Sequence, residues 1–236
     1  MRTLDPTASI AFDGLVDERF DRWTDELRDF CSIPSETAHL PELERAASWV
    51  AERLDAAGAE VTVLTEEGIP PLVIGELGSG PRTLLAVQHY DVQPAAPIEL
   101  WETGPFDPQL RDGRLYARGV CDDKGEFLHR VQAVEALRDA SGDLPCRVRF
   151  IVEGEEESGS ATLASLLAQR PEFLEGDAAL IEGGGVDEAG RPVLVCGVRG
   201  MLYLQLTART IAFDGHSGMA QLLPNAAWRL VEALST

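Results

Sequence analysis

Four short segments of the sequence bring a histidine and several carboxylates to the ends of hydrophobic runs. They read HYDVQP at residues 89–94, GVCDDKG at 119–125, EGEEESGS at 153–160 and LIEGGG at 180–185. One imidazole together with several carboxylate oxygens is a donor set that suits zinc, or a similar divalent ion, in an open catalytic site. The segments therefore indicate metal-assisted hydrolysis.

The histidine of the first segment, His89, follows a β-rich run at residues 83–88. Asp91 lies two residues further on, so both side chains point the same way in an extended chain. We expect Asp91 to hydrogen-bond the ring nitrogen that faces away from a metal and to fix the orientation of the ring. The alternative is a histidine–aspartate pair in a turn at the end of a strand, and this spacing alone is a weak signal.

The second segment contains two adjacent aspartates, Asp122 and Asp123, in a loop flanked by glycines. A single carboxylate at this place can bridge two metal ions, because it offers one oxygen to each. Alternatively, one aspartate caps the helix that we predict to begin near Lys124. The two interpretations are compatible if one residue is the ligand and the other is the cap.

Three adjacent glutamates, residues 155–157, follow a β-rich run at residues 146–152. Adjacent carboxylates repel one another unless a cation neutralises them. Neighbouring side chains point in different directions, so one glutamate can bind a metal while the next accepts a proton from water. A solvated acidic loop, or the N-terminus of a helix, is the alternative explanation.

Two further residues are candidates on weaker patterns. Glu182 precedes three glycines and is either another metal ligand or a polar residue in a surface turn. His216 lies in the turn DGHSG, residues 214–218, and is either a substrate contact or an exposed turn histidine.

The elements that must position these residues alternate between helical and β-rich patterns. Helical spacing predicts helices at residues 13–31, 41–57, 124–140, 160–169 and 225–234, and β-rich runs predict strands at 59–64, 72–77, 83–88, 146–152, 177–181, 192–196 and 201–209. Residues 92–110 contain four prolines and predict a long loop. The alternation indicates an α/β domain whose sheet is mostly parallel and flanked by helices. Sheets of this kind usually place their sites beyond the ends of their strands.

Composition restricts the partners. The 236 residues include 40 acidic and 20 basic side chains, and the net charge of -20 argues against nucleic acid or an anionic membrane as a partner. No apolar run is long enough to span a bilayer, and residues 1–13 lack the pattern of a signal peptide. The four cysteines show no disulfide or CxxC spacing, so we interpret them as reduced thiols and expect a cytoplasmic protein.

Taken together, the segments HYDVQP, GVCDDKG and EGEEESGS resemble those of the M20 family of metallopeptidases, as does the stretch WETGPFDP at residues 101–108. The DVQP and DDKG versions look most like the dipeptidase and carboxypeptidase branch of that family. The resemblance implies zinc-dependent hydrolysis of an amide bond in a dipeptide, or in a short peptide with a free C-terminal carboxylate. Deacylation of an N-acyl amino acid is the alternative within the same chemistry.

The resemblance also implies a ligand set for two zinc ions, with Co²⁺ and Mn²⁺ as alternative metals. Four residues match the ligands of the family: His89 and Glu182 at one ion, Glu157 at the other, and Asp122 as the bridge between them. Three residues match its catalytic positions: Asp91 orients His89, Glu156 is the general base, and His216 resembles the lid histidine that reaches the active site of the partner subunit.

The same resemblance divides the chain into an N-terminal part of the catalytic domain, residues 1–196, and the beginning of an α+β lid and dimerisation domain, residues 197–236. It implies a homodimer that forms through the lid. In the family the chain returns after the lid and supplies the last zinc-binding histidine, and no histidine follows His216 here. We therefore expect residues 1–236 alone to be an incomplete and inactive enzyme. A non-catalytic fragment that binds only a metal or a partner is the alternative from another class.

Overall fold

Two helices precede a five-stranded β-sheet in the computed structural model, which describes residues 6–183 and 185–235. The helices are α1 (Pro6–Cys31), α2 (Leu40–Ala56), α3 (Lys124–Ser141), α4 (Leu163–Ala168) and α5 (Ala226–Leu234). Each matches a predicted helix, although α1 begins earlier than predicted and α4 is shorter. Pro41 lies in the first turn of α2, and Gly58, with φ of +86°, follows its end.

The strands of the sheet are β1 (Glu60–Glu66), β2 (Ile69–Leu77), β3 (Thr83–His89), β6 (Arg147–Glu153) and β7 (Ala178–Ile181), and a separate hairpin contains β4 (Gln109–Arg111) and β5 (Arg114–Tyr116). The strand order is β1-β2-β6-β3-β7. β3 pairs in parallel with β6 and β7, whereas β2 is antiparallel to β1 and β6. Four strands therefore point the same way and only β2 runs against them, which confirms the predicted mostly parallel sheet.

Helices cover both faces of the sheet. Alternate strand residues point to opposite sides, and apolar residues on each side pack against helices. On one face Val73 and Phe150 pack into a core with residues of α1, α2 and α3. On the other face Ile74 and Ile151 pack with Leu166 of α4. The two cores fix the position of the sheet, and with it the position of every strand end.

The parallel register brings those strand ends to one edge. His89, the last residue of β3, is paired with Glu153, the last residue of β6. β7 ends at Ile181, directly before Glu182. The carboxyl ends of three neighbouring strands therefore carry residues of three of the four metal-binding segments.

The strands predicted at residues 192–196 and 201–209 are wrong. Residues 193–235 contain a short 3₁₀ turn, Ser217–Met219, and helix α5, but no strand. Leu202 and Leu204, whose alternation favoured a strand, are 80% and 70% exposed. Alternation predicts which side chains share a face, but a strand also needs a neighbouring strand for its backbone hydrogen bonds. In the described residues these segments pair with no strand, and Pro192 makes only an isolated bridge with Val186.

The contacts of the chain divide it into two compact units, Met1–Pro192 and Val193–Thr236. In the second unit Asn225 caps α5 by accepting a hydrogen bond from Ala227 N at 2.9 Å. In the described residues no helix has both the length and the hydropathy that a membrane crossing needs.

Replacing Phe127 by alanine tests the core below the site. Its buried ring packs edge-on against Phe30 and Phe150, with ring centroids 6.0 and 6.1 Å apart. We expect the free energy of unfolding in urea to fall by about 3–5 kcal/mol, because the cavity cannot collapse fully. Phe20→Ala, on a ring that is 62% exposed, is the control and should cost less than about 1 kcal/mol. Equal losses of unfolding free energy in the two variants would contradict the burial of Phe127 in this core.

Candidate metal centre

Three carboxylates lie close to the imidazole of His89. Its Nε2 lies 3.0 Å from Asp122 Oδ1, 2.8 Å from Glu182 Oε2 and 3.8 Å from Glu156 Oε2. One ligand atom each from His89, Asp122 and Glu182 lies within 4.8 Å of the others. The structure thus assembles three of the four predicted ligands, which are separated by more than 90 residues in the sequence.

The three residues fit a divalent cation. One Nε2–H can point at only one oxygen, yet two carboxylate oxygens lie within hydrogen-bond distance of it. Burial lowers the pKa of His89, but hydrogen bonds to Asp91 and Glu182 outweigh burial and raise the pKa to about 12. Without a metal the carboxylates therefore favour a protonated imidazole, and the same negative charges would attract a divalent cation in place of that proton. Nitrogen with carboxylate oxygen is the ligand chemistry of zinc.

The site is open on one side. His89 is fully buried, whereas the side chain of Asp122 is 72% exposed and that of Glu182 is 29% exposed. A cleft of about 350 Å³ is lined by Cys121, Asp122, Asp123, Glu126, Glu182 and Gly183. A ligand set with an open face leaves room for water and substrate, as a catalytic metal site requires.

Asp91 supports the ring from behind, as the spacing of the segment predicted. Its Oδ1 lies 3.2 Å from His89 Nδ1, and its backbone oxygen lies 3.0 Å from the same atom. The buried carboxylate also accepts hydrogen bonds from Glu156 N at 3.2 Å and Glu157 N at 3.1 Å. One residue therefore contacts both the imidazole and the start of the glutamate turn.

The two glutamates of that turn point to different partners. Glu156 approaches His89, and burial together with the negative charge of Glu182 raises the pKa of Glu156 to about 7. Glu157 is not part of the three-residue group, because its Oε2 accepts a hydrogen bond from Gln93 Nε2 at 2.8 Å. The structure therefore places Glu156 close to His89, whereas Glu157 lies outside the three-residue group.

Asp123 does not cap α3 with its side chain. It occupies the N-cap position, but its carboxylate makes no capping hydrogen bond. Its Oδ2 accepts instead from Gln88 Nε2 at 2.6 Å and from His89 N at 2.9 Å. The cap interpretation was wrong because a buried backbone donor and a buried amide compete for the same carboxylate.

His216 lies in the other compact unit, where its Nδ1 accepts a hydrogen bond from Gly218 N at 3.0 Å. This bond accounts for the turn that the sequence predicted there. The catalytic role of His216 stays a prediction.

Sequence analysis missed four polar residues that surround the ligands: Gln88, Asp123 as a contact of His89, Glu126 and Arg130. The four-residue spacing of the opposite charges of Glu126 and Arg130 on a predicted helix could have indicated their ion pair. Gln88 also carried a signal, because a polar side chain at the buried end of a strand needs a partner.

The sequence profile of peptidase family M20/M25/M40 matches residues 85–235, more than half of the chain. The chain belongs to this family. The four candidate metal-binding segments all lie within the matched range, so the family that they indicated is confirmed. The solved M20 family metallo-carboxypeptidase Sso-CP2 of Sulfolobus solfataricus has a TM-score of 0.80 and 34% identity, covering 91% of this chain and 49% of that one.

Two curated relatives of this M20 chain are dipeptidases by name. The Cys-Gly metallodipeptidase of Schizosaccharomyces pombe is 31% identical over 222 residues, or 87% of this chain and 47% of that protein. The human Beta-Ala-His dipeptidase is 33% identical over 222 residues, or 86% of this chain and 44% of that protein. The chain thus spans about half the length of the curated relatives it matches.

Removing one carboxylate charge from the group tests it as a metal site. We expect Asp122→Asn and Glu182→Gln each to weaken Zn²⁺ binding at least about tenfold, because an amide oxygen is a poorer zinc ligand than a carboxylate. Asp55→Asn, on the exposed face of α2, is the control and should bind as wild type does. Competition with a coloured chelator gives the affinities. Wild-type affinity in both site variants would exclude the group as the zinc site.

Proposed function

We propose that the protein is a metal-dependent peptidase that hydrolyses the amide bond of a dipeptide, or of a short peptide with a free C-terminal carboxylate. The observation that carries the proposal is the convergence of His89, Asp122 and Glu182 with Glu156 at 3.8 Å from the same imidazole nitrogen. The dipeptidase names of the curated relatives support the substrate class.

In this proposal His89, Asp122 and Glu182 hold the ion, and Asp91 keeps the imidazole turned toward it. A bound divalent ion supplies Lewis-acid polarisation of the scissile carbonyl and an acidified water. Glu156 would accept a proton from the attacking water as the water oxygen bonds to the carbonyl carbon, and would give that proton to the amine nitrogen as the C–N bond breaks.

We also propose two zinc ions, with Asp122 as the bridge and Glu157 at the second ion. The support is that the backbone N–H groups of Glu156 and Glu157 both donate to the Asp91 carboxylate. This contact holds the backbone of both glutamates near the centre. In this proposal His216 stabilises the oxyanion in the active site of the partner subunit. Co²⁺ and Mn²⁺ are alternative metals.

The domain assignment remains part of the same proposal. Residues 1–196 form the N-terminal part of a catalytic domain, and residues 197–236 begin a lid through which two subunits form a homodimer. A cytoplasmic location fits four cysteines that are all free thiols in the structure. Deacylation of N-acyl amino acids is the alternative reaction, and no described contact of the site favours it.

The general base can be separated from the metal ligands by one substitution. In the complete protein we expect Glu156→Gln to retain the bound metal and to lower kcat for dipeptide hydrolysis by about 10²–10⁴, because an amide cannot accept the proton. Metal analysis of the purified protein and a dipeptidase assay measure the two effects. The control is Glu99→Gln, an exposed residue outside the site, for which both should be unchanged. Loss of metal from Glu156→Gln would mean that Glu156 is a ligand and not the base.

A further inference from the structure

An ion pair on α3 contacts the segments that carry all three candidate ligands. Glu126 and Arg130 are one helical turn apart, and Arg130 Nη2 donates to Glu126 Oε2 at 2.9 Å. The side chain of Arg130 is only 9% exposed. Burying a charged pair costs solvation, so it is retained only where further hydrogen bonds complete it. The partners of those further bonds show what the pair does.

The pair holds the peptide groups on both sides of Glu182. Arg130 Nη2 donates to Ile181 O at 3.0 Å, and Glu126 Oε2 accepts from Gly183 N at 2.9 Å. Gly183 has φ of +97°, in the left-handed region that favours glycine. With both flanking peptide groups bound, the backbone at Glu182 is held in the orientation that turns its carboxylate toward the imidazole.

The same arginine reaches the other two ligands through their sequence neighbours. Arg130 Nη1 donates to Gln88 Oε1, and Gln88 Nε2 donates to Asp123 Oδ2 at 2.6 Å. That oxygen also accepts from His89 N at 2.9 Å. Gln88 directly precedes His89 and Asp123 directly follows Asp122, so one continuous network joins the three ligand segments.

We propose that Arg130 and Glu126 are positioning residues of the metal centre, which hold the backbone beside each ligand before the metal binds. The inference rests on the metal centre under the proposed function, but not on the reaction. Carboxylates that converge on one point repel one another, so they need such support to remain together. Neighbours that orient metal ligands typically contribute about 10–100-fold to metal affinity.

The test compares Arg130→Met and Glu126→Ala with Arg138→Met in the full chain. Arg138 is a matched control, because it lies two turns further along α3, donates to Ala57 O at 2.6 Å and pairs with Asp139, away from the site. We expect Arg130→Met and Glu126→Ala to weaken Zn²⁺ binding about 10–100-fold and to change the visible absorption of bound Co²⁺. Arg138→Met should bind both ions as wild type does.

Two further measurements separate positioning from general stability. In metal-free protein, hydrogen exchange of the Gly183 amide should become faster in Glu126→Ala and stay unchanged in Arg138→Met. In a Glu182→Gln background, Glu126→Ala should weaken Zn²⁺ binding little further, because it acts through that ligand.

Three results would overturn the inference: Zn²⁺ affinity of the Arg130 and Glu126 variants equal to that of Arg138→Met, unchanged exchange at Gly183, or fully additive losses for Glu126→Ala and Glu182→Gln. A complete, metal-loaded protein that hydrolyses no dipeptide would contradict the proposed function while leaving the positioning of the ligands intact.

Discussion

One buried imidazole ring, that of His89, is surrounded by more carboxylate oxygens than its two N–H groups can satisfy. Asp91 takes the Nδ1 side, while Asp122 and Glu182 both lie within hydrogen-bond distance of Nε2. Charged oxygens at such distances repel one another unless positive charge lies among them. The centre therefore needs a cation for its electrostatics and a rigid frame for its geometry, and the remaining features of the fold supply the frame.

The frame begins with the parallel strands β3, β6 and β7, which end at the same edge of the sheet. Helices on both faces hold that edge in place through two separate hydrophobic cores. Asp91 then joins the imidazole to the glutamate turn, and the α3 pair joins the backbone of the ligand segments. Each connection fixes a backbone position beside the centre, which leaves the ligand side chains free to bind a metal.

Local chemistry made much of this predictable. The strand before His89 and the two-residue spacing to Asp91 predicted the contact behind the ring. The alternation of helical and β-rich patterns predicted a mostly parallel sheet with its site beyond the strand ends. The strands expected at residues 192–196 and 201–209 were wrong because pairing depends on a neighbour that alternation does not reveal. The hydrogen bonds of Asp123 and Arg130 could not be predicted for a similar reason. Their partners Gln88 and Ile181 lie on strands that are distant in sequence.

The central claim, that His89, Asp122 and Glu182 form a metal centre, is tested most directly by anomalous diffraction at the zinc edge from crystals of the protein grown with Zn²⁺. We predict a strong peak about 2.0–2.2 Å from His89 Nε2 and from one carboxylate oxygen each of Asp122 and Glu182. A zinc peak held by other residues, with the three side chains unliganded at the ends of their strands, would contradict the account.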